Sequence, residues 1–264
     1  MMYQRYFLRI AYDGTEYHGW QRQPNGNTVQ EEVEKWLCRV LHLPRVITTG
    51  CGRTDAGVHA KDFYLHFNPE IEELIPREEF LFKLGNAMPK DIAVYDFFAV
   101  HPNAHTRFDA VERSYEYHLH LKRNPFNRLY STHCFYKLDF EKMNEAAKLL
   151  IFKGDFAAFS RTGGGQRTTI CDVRRAEWQE TEMGFVFHIS ADRFLRNMVR
   201  AVVGTLAEVG KGRMTLEEFK TVIDSGQRTL AGDSMRPEGL HLSKVLYPYI
   251  RDGRYVAPTD LIEE

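Results

Sequence analysis

No apolar run in this chain of 264 residues approaches the roughly 20 residues that a membrane-spanning helix needs. The N-terminal stretch Met1-Met2-Tyr3-Gln4-Arg5-Tyr6-Phe7-Leu8-Arg9 lacks the apolar core and cleavage site of a secretory leader. Cysteine is sparse: Cys38, Cys51, Cys134 and Cys171 stand far apart, with no CxxC pair. That spacing excludes a disulfide frame and a zinc site, and it suits reduced thiols. These absences set the expectation of a cytoplasmic protein with no membrane contact. One-sided charge is missing too. The 35 Lys and Arg residues against 36 Asp and Glu leave a net charge of -1, which does not announce a nucleic-acid binder.

The sequence does have ample material for a core. With 43% hydrophobic and 27% charged residues, it suits one large domain or two smaller ones. Its charges are segregated. Acids gather at Glu31-Glu32-Val33-Glu34, Glu70-Ile71-Glu72-Glu73 and Glu78-Glu79, and bases from Arg107 to Arg128 and at Arg193, Arg196 and Arg200. A near-neutral total can hide a basic cleft whose local field steers a polyanion.

Hydrophobic periodicity places the elements. Leu8 to Tyr12 alternates as a strand and ends at the turn pair Asp13-Gly14. Thr28 reads as an N-cap for a helix with Val29, Val33, Trp36, Leu37, Val40 and Leu41 at helical spacing. Val46 to Thr48, Phe63 to Phe67 and Ile92 to Phe98 read as strands, with a helix from about Pro76 between the last two. A pause at His101-Pro102-Asn103-Ala104 marks a soft boundary, giving halves 1–104 and 105–264. In the second half, Tyr115, Tyr117 and Leu119 alternate with polar residues, and a helix spans Phe140 to Leu150. A hairpin runs from Val173 through Gly184 to Ile189. A long helix is expected from about Arg193 to Val209, with Gly210 as its cap, and a capped helix from Thr215 with Glu218. On that long helix Arg193, Arg196 and Arg200 would share one face. Thr162-Gly163-Gly164-Gly165 reads as a flexible surface loop. Without regular βαβ alternation, the class is α+β with antiparallel pairing.

One segment carries a chemical signal: Gly50-Cys51-Gly52-Arg53-Thr54-Asp55-Ala56-Gly57-Val58-His59-Ala60. Its glycines permit a tight turn and close approach of a ligand to the backbone. Asp55 beside Arg53 could be a nucleophile, a general base, a magnesium ligand, or a turn Asp satisfying its own loop amides. No Lys-Ser/Thr follows the last glycine, so this is not a Walker phosphate loop, and Asp55 stands where a dinucleotide fingerprint needs its third glycine. No second carboxylate cluster accompanies it for a metal. Among the sharp uses, nucleophile and base remain. Tyr115 and Phe108 could be core residues or stacking platforms for an unpaired base.

Gly52-Arg53-Thr54-Asp55-Ala56-Gly57-Val58-His59 resembles the catalytic loop of the tRNA pseudouridine synthase A family. Collinear matches cover nearly the whole chain: Tyr12-Asp13-Gly14, Gly19-Trp20-Gln21-Arg22-Gln23, Val29-Gln30-Glu31, Asp91-Ile92-Ala93-Val94, His105-Thr106-Arg107-Phe108, Arg113-Ser114-Tyr115-Glu116-Tyr117, Gly154-Asp155-Phe156, Met198-Val199-Arg200, Val203-Gly204 and Glu238-Gly239-Leu240. The resemblance implies a pseudouridine synthase fold, with two similar α/β halves sharing a mostly antiparallel sheet and a central RNA-binding cleft. It implies a homodimer that isomerises uridines in the anticodon stem-loop of tRNA, at about positions 38 to 40, on a flipped-out base and without metal or cofactor. It maps the nucleophile onto Asp55, the base-stacking Tyr onto Tyr115, the acid-pairing Arg onto Arg200, and the filler of the vacated stack onto Arg53. Weaker RNA contacts fall on Arg22, Arg107, Phe108, Arg113 and Arg196. Where the family often has Ser-Arg-Thr-Pro, this chain has Gln166-Arg167-Thr168-Thr169, a departure that touches RNA contacts and not chemistry.

Overall fold

The computed structural model describes residues 4–69, 75–161, 168–251 and 254–256. It divides into two compact units, Met1–Val111 with Leu242–Glu264, and Glu112–His241. The glycine-rich stretch at 162–167 lies outside the described residues. No helix among the described residues is long and apolar enough to cross a membrane, and the four cysteines are free.

The first unit is built on β1 (Arg5–Tyr12), β2 (Thr49–Gly50), β3 (His59–Phe67) and β4 (Ile92–Val100). β1 pairs antiparallel with β3 on one side and β4 on the other, so Phe7 stands between His66 and Phe98. β2, set just after the expected Val46–Thr48 strand, adds to the end of β3 through Thr49↔His66 and Gly50↔Leu65. Helix α1 (Val29–Val40) starts where Thr28 Oγ1 accepts the Glu31 N–H, satisfying one of the orphan donors of its first turn. Helix α2 (Arg77–Ala87) lays Phe80 on β4, its ring 4.2 Å from that of Phe97.

The second unit contains β5 (Glu112–His120), β6 (Thr132–His133), α3 (Phe140–Lys148), β7 (Lys153–Asp155), β8 (Ile170–Thr181), β9 (Gly184–Ala191), α4 (Met198–Gly210) and α5 (Leu216–Ser225). The strands lie in the order β5-β9-β8-β7. β6 runs parallel to β5, while the β5–β9, β8–β9 and β7–β8 pairings are antiparallel. Asn144 fastens α3 to this sheet, accepting the Trp178 N–H at 2.7 Å and donating to its carbonyl at 3.1 Å. α5 carries the full capping box expected from Thr215 and Glu218.

α4 corrects two expectations. Its first residue is Met198, because Asn197 sits in the left-handed region with φ 64° and interrupts any helix arriving from Arg193. Arg193 and Arg196 therefore precede the helix and share no face with Arg200. Gly210 is also no cap. It is the last helical residue, where a Cβ would come within 2.4 Å of Met143 Sδ, so glycine there serves helix packing. Eleven of its 13 residues are buried, the pattern of a core helix rather than a surface one.

The chain from Leu242 returns to the first unit. β10 (Leu240–Leu246) runs beside β3, and the Val245 N–H donates to buried Asp62, whose other oxygen takes Arg9 Nε at 2.7 Å. Tyr247 and Tyr249 donate to the Thr106 carbonyl and to Asp109. The soft boundary expected at 104/105 is thus followed by residues up to Val111 that still pack with the first unit. A short hairpin, β11 (Ile250–Arg251) and β12 (Arg254–Tyr255), follows.

Candidate active site

Asp55 lies in the connection between β2 and β3, and the main chain of that connection is held from outside. The Trp20 N–H donates to the Thr54 carbonyl at 3.3 Å, and the Gly57 N–H donates to the Tyr17 carbonyl at 3.1 Å. Thr54 is buried, with Oγ1 2.9 Å from the Tyr12 hydroxyl. The Val58 N–H closes a turn onto the Asp55 carbonyl at 3.2 Å. Gly57 takes φ 75° in that turn, the sign a type II turn demands at its third residue. Two glycines outside the loop make the contact possible. A Cβ on Gly14 would stand 2.0 Å from the Val58 carbonyl oxygen, and one on Gly19, itself at φ +88°, would stand 2.3 Å from that of Thr54. The Gly14 N–H also donates to His59 Nδ1 at 3.1 Å. Beneath them Trp20 is buried, its ring 4.2 Å from Phe63. On this fixed backbone Asp55 is half-buried and Arg53 exposed.

A buried polar frame holds the segment entering the loop, and sequence reasoning missed it. Gln30 Oε1 accepts from Gln21 Nε2 at 2.8 Å and from the Arg22 N–H at 3.0 Å; its amide nitrogen donates to the Thr48 carbonyl and to Glu34. Glu34 Oε1 also accepts the Thr48 N–H at 2.9 Å and its hydroxyl at 3.0 Å, while Oε2 pairs with Arg22 at 3.2 Å. Glu34, read from sequence as part of an acidic cluster, is only 7% exposed. Its signal was available: residues 30, 34 and 37 fall at i, i+4 and i+7 on the buried side of α1. A buried carboxylate this well satisfied fixes register, because each lost partner would leave an unpaired polar group.

The first unit also holds Arg107 and Phe108. Buried Thr106 anchors them, donating through Oγ1 to the Thr49 carbonyl at 2.8 Å and through its N–H to His66 Nδ1 at 3.3 Å. His105 Nδ1 accepts the N–H groups of Arg107 and Phe108 at 3.1 and 3.3 Å. Burial, together with the Arg5 and His105 charges, pushes the His66 pKa down to about 3. The result is a rigid corner from which Phe108, 75% exposed, projects with the Arg107 guanidinium 5.9 Å from its ring centre. Such a ring suits stacking on an unpaired base. Arg22 pairs with Glu34 through one guanidinium nitrogen at 3.2 Å, and its side chain is otherwise exposed.

The second unit carries the other expected residues. The two tyrosines of β5 differ. Tyr117 is fully buried, its hydroxyl donating to the Arg236 carbonyl at 2.8 Å. Tyr115 is half-buried, its ring edge-on to Phe194 at 5.1 Å. Arg200 sits in the first turn of α4 and donates from Nε to the Met235 carbonyl at 2.6 Å, while the Met235 N–H donates to the Arg200 carbonyl at 3.0 Å. Glycine again admits the crossing segment: a Cβ on Gly204 would stand 1.7 Å from the Asp233 carbonyl oxygen. This is the physical content of the Val203-Gly204 match. Arg113 is half-buried and donates to the Asp192 carbonyl at 2.8 Å, a tie within the fold. Arg196 is exposed in the turn before α4.

The first unit therefore presents a half-buried carboxylate on an immobilised turn, with an exposed guanidinium two residues before it and an exposed aromatic on a separate rigid corner. A carboxylate so placed can attack an electrophilic carbon or take a proton. Among the described residues no group of three or more His, Cys, Asp or Glu is arranged to hold a metal ion.

A family model described as tRNA pseudouridine synthase matches residues 146–248. Over nearly its whole length the chain is similar to tRNA pseudouridine synthase A of Bacteroides fragilis, 47% identical over 249 residues that cover 94% of this chain and 98% of that protein. It is 46% identical to tRNA pseudouridine synthase A of Parabacteroides distasonis over 93% of this chain and 96% of that one. With tRNA pseudouridine synthase A 2 of Clostridium perfringens it shares 40% identity over 91% and 98%.

Proposed function

Because the chain belongs to the tRNA pseudouridine synthase A family, an isomerase family acting on tRNA, we propose that it converts uridines of the anticodon stem-loop, at about positions 38 to 40, with Asp55 acting on a flipped-out nucleotide. The observation that carries the reading is the held loop, with Asp55 half-buried on a backbone pinned at Thr54, Gly57 and Val58. Preorganisation of this kind holds a reacting group in place before the substrate arrives.

The reaction breaks the N1–C1′ bond, turns the uracil and joins C5 to C1′. The C5 proton leaves to solvent, and N1 ends protonated. A base stacked in a helix shields C1′ and C6, so the nucleotide must first leave the stack. Asp55 acts as the nucleophile, with attack at C1′ and addition at C6 as the two routes, or it first removes a proton from C2′. Each requires the ionised carboxylate, and Arg200 is the cation assigned to pair with it. Tyr115 stacks on the extruded base, and Arg53 fills the gap it leaves. Arg107 and Phe108 belong to the RNA footprint with Arg113 and Arg196, and phosphate contacts there position the RNA without reading its sequence. The active species in this reading is a homodimer, which light scattering checks.

Asp55→Asn should bind tRNA as tightly as the unaltered chain and release no tritium from tRNA labelled at uridine C5. Turnover above background in that variant would remove Asp55 from its role. Affinity for tRNA should fall steeply with salt, as expected when bound phosphates shed their counterions.

A further inference from the structure

The glycines around Asp55 fall into two kinds. Gly14 and Gly19 admit no side chain because carbonyl oxygens of the loop stand in the way, and Gly50 admits none because Trp20 Nε1 would lie 2.6 Å from its Cβ. Gly57 needs its left-handed backbone. Gly52 has neither reason. Its φ lies outside the left-handed region, and no described heavy atom beyond its chain neighbours lies within 4 Å of where its Cβ would stand. The fold would accept alanine there, and alanine ordinarily stabilises such a position by restricting the unfolded chain.

We infer that Gly52 is a positioning residue whose missing side chain leaves room for the sugar–phosphate backbone of the RNA as it passes the Asp55 loop. Three features point to RNA backbone as the occupant. The open side of Gly52 belongs to the loop that carries Asp55. The neighbouring Arg53 side chain is exposed, as filling the gap left by an extruded base requires, and that role brings RNA to this side of the loop. No described group accepts the N–H of Gly52 or Arg53, so both donors are available to an anion. Glycine is the residue that lets a ligand approach a backbone this closely. The inference rests on the proposal that Asp55 acts on tRNA at this loop.

Gly85 supplies the control. It lies inside α2, is exposed, and has the same open surroundings at its Cβ, yet it stands in no proposed RNA path. The experiment measures melting temperature, tRNA binding, and kcat and KM for pseudouridine formation in the unaltered chain, Gly52→Ala, Gly52→Val, Gly85→Ala and Asp55→Asn. Gly52→Ala is expected to melt at or above the unaltered chain's temperature while kcat/KM drops about a hundredfold, the scale of an ångström-sized misplacement. The drop should fall mainly on kcat and deepen in Gly52→Val. Gly85→Ala should melt higher and keep full activity. Unchanged kcat/KM in Gly52→Ala, or a lower melting temperature that accounts for the loss, would overturn the inference. An Asp55→Asn variant that still turned over would strike instead at the proposal on which it rests.

Discussion

The Asp55 loop and the Arg200 turn reach a fixed side chain by opposite routes. Around Asp55 the main chain is gripped, through the Trp20 and Gly57 N–H bonds and the close approaches of Gly14 and Gly19, while the carboxylate is left half-buried on top. Around Arg200 the side chain itself is gripped, since Met235 takes Nε and a crossing backbone at Asp233 leans on Gly204. Glycine is indispensable to both, yet for different ends. In the first unit it lets backbone brace backbone beneath a half-buried carboxylate. In the second it lets backbone cross a helix and hold a guanidinium. A rigid main chain suits a group that must change its bonding during turnover. A clamped side chain suits a group whose task is to hold charge in one place.

Substitutions that fill these close approaches have the largest expected effect. Gly204→Ala should cost about 3 kcal/mol, the upper end of the overpacking range, because the Cβ collides with backbone and not with a movable side-chain tip. Gly19→Ala should cost about as much, since a strained φ adds to the collision. Denaturant unfolding of both variants checks this, and a loss below about 1 kcal/mol in either would show that the crossing segment gives way. The next effect tests the frame under the loop. Glu34→Ala should cost about 2 kcal/mol by leaving Thr48 and Gln30 donors unsatisfied, and activity should fall further than stability alone explains. Wild-type melting behaviour in that variant would mean the network is ornamental.

Acid acts on the first unit through His66. His66 is neutral in the folded chain, with its pKa taken from 6.5 down to about 3 by burial and nearby positive charge. The unfolded chain binds the extra proton first, so stability is complete above pH 6.5 and is lost as pH falls toward 3. The corner carrying Phe108 should loosen over that window, and a His66→Gln variant should show a flatter stability profile there. The smallest expected effect is at the exposed ring. Phe108→Ala should leave melting unchanged and weaken tRNA binding by about 1 kcal/mol, the low end of a stacking contact. A stability loss would instead make Phe108 part of the packing.

Much of this arrangement was legible in the sequence because alternation and helical spacing report burial. β1, β3, β4 and the β8–β9 hairpin appear close to where alternation puts them, and the Thr215–Glu218 box forms as its spacing requires. The start of α4 was not legible. The spacing of Arg193, Arg196 and Arg200 fits a helix, and one left-handed residue, Asn197, ends that continuity. Glu34 escaped notice because a charged residue in an acidic run reads as solvated, and only its partners on Thr48 and Arg22 show otherwise. Gly14 reads as a turn residue, whereas its constraint is a contact with Val58 across more than forty residues of chain. Local pattern reports which face is buried; it does not report which backbone lies against which.

Asp55, on its braced loop, is the residue proposed to isomerise uridine in tRNA. Pseudouridine mapped at single-nucleotide resolution in the anticodon stem-loop of a tRNA transcript, before and after incubation with the chain and with Asp55→Asn, tests it most directly. New pseudouridine with the unaltered chain and none with Asp55→Asn is the result expected. Equal modification by both proteins, or none by either, would contradict it.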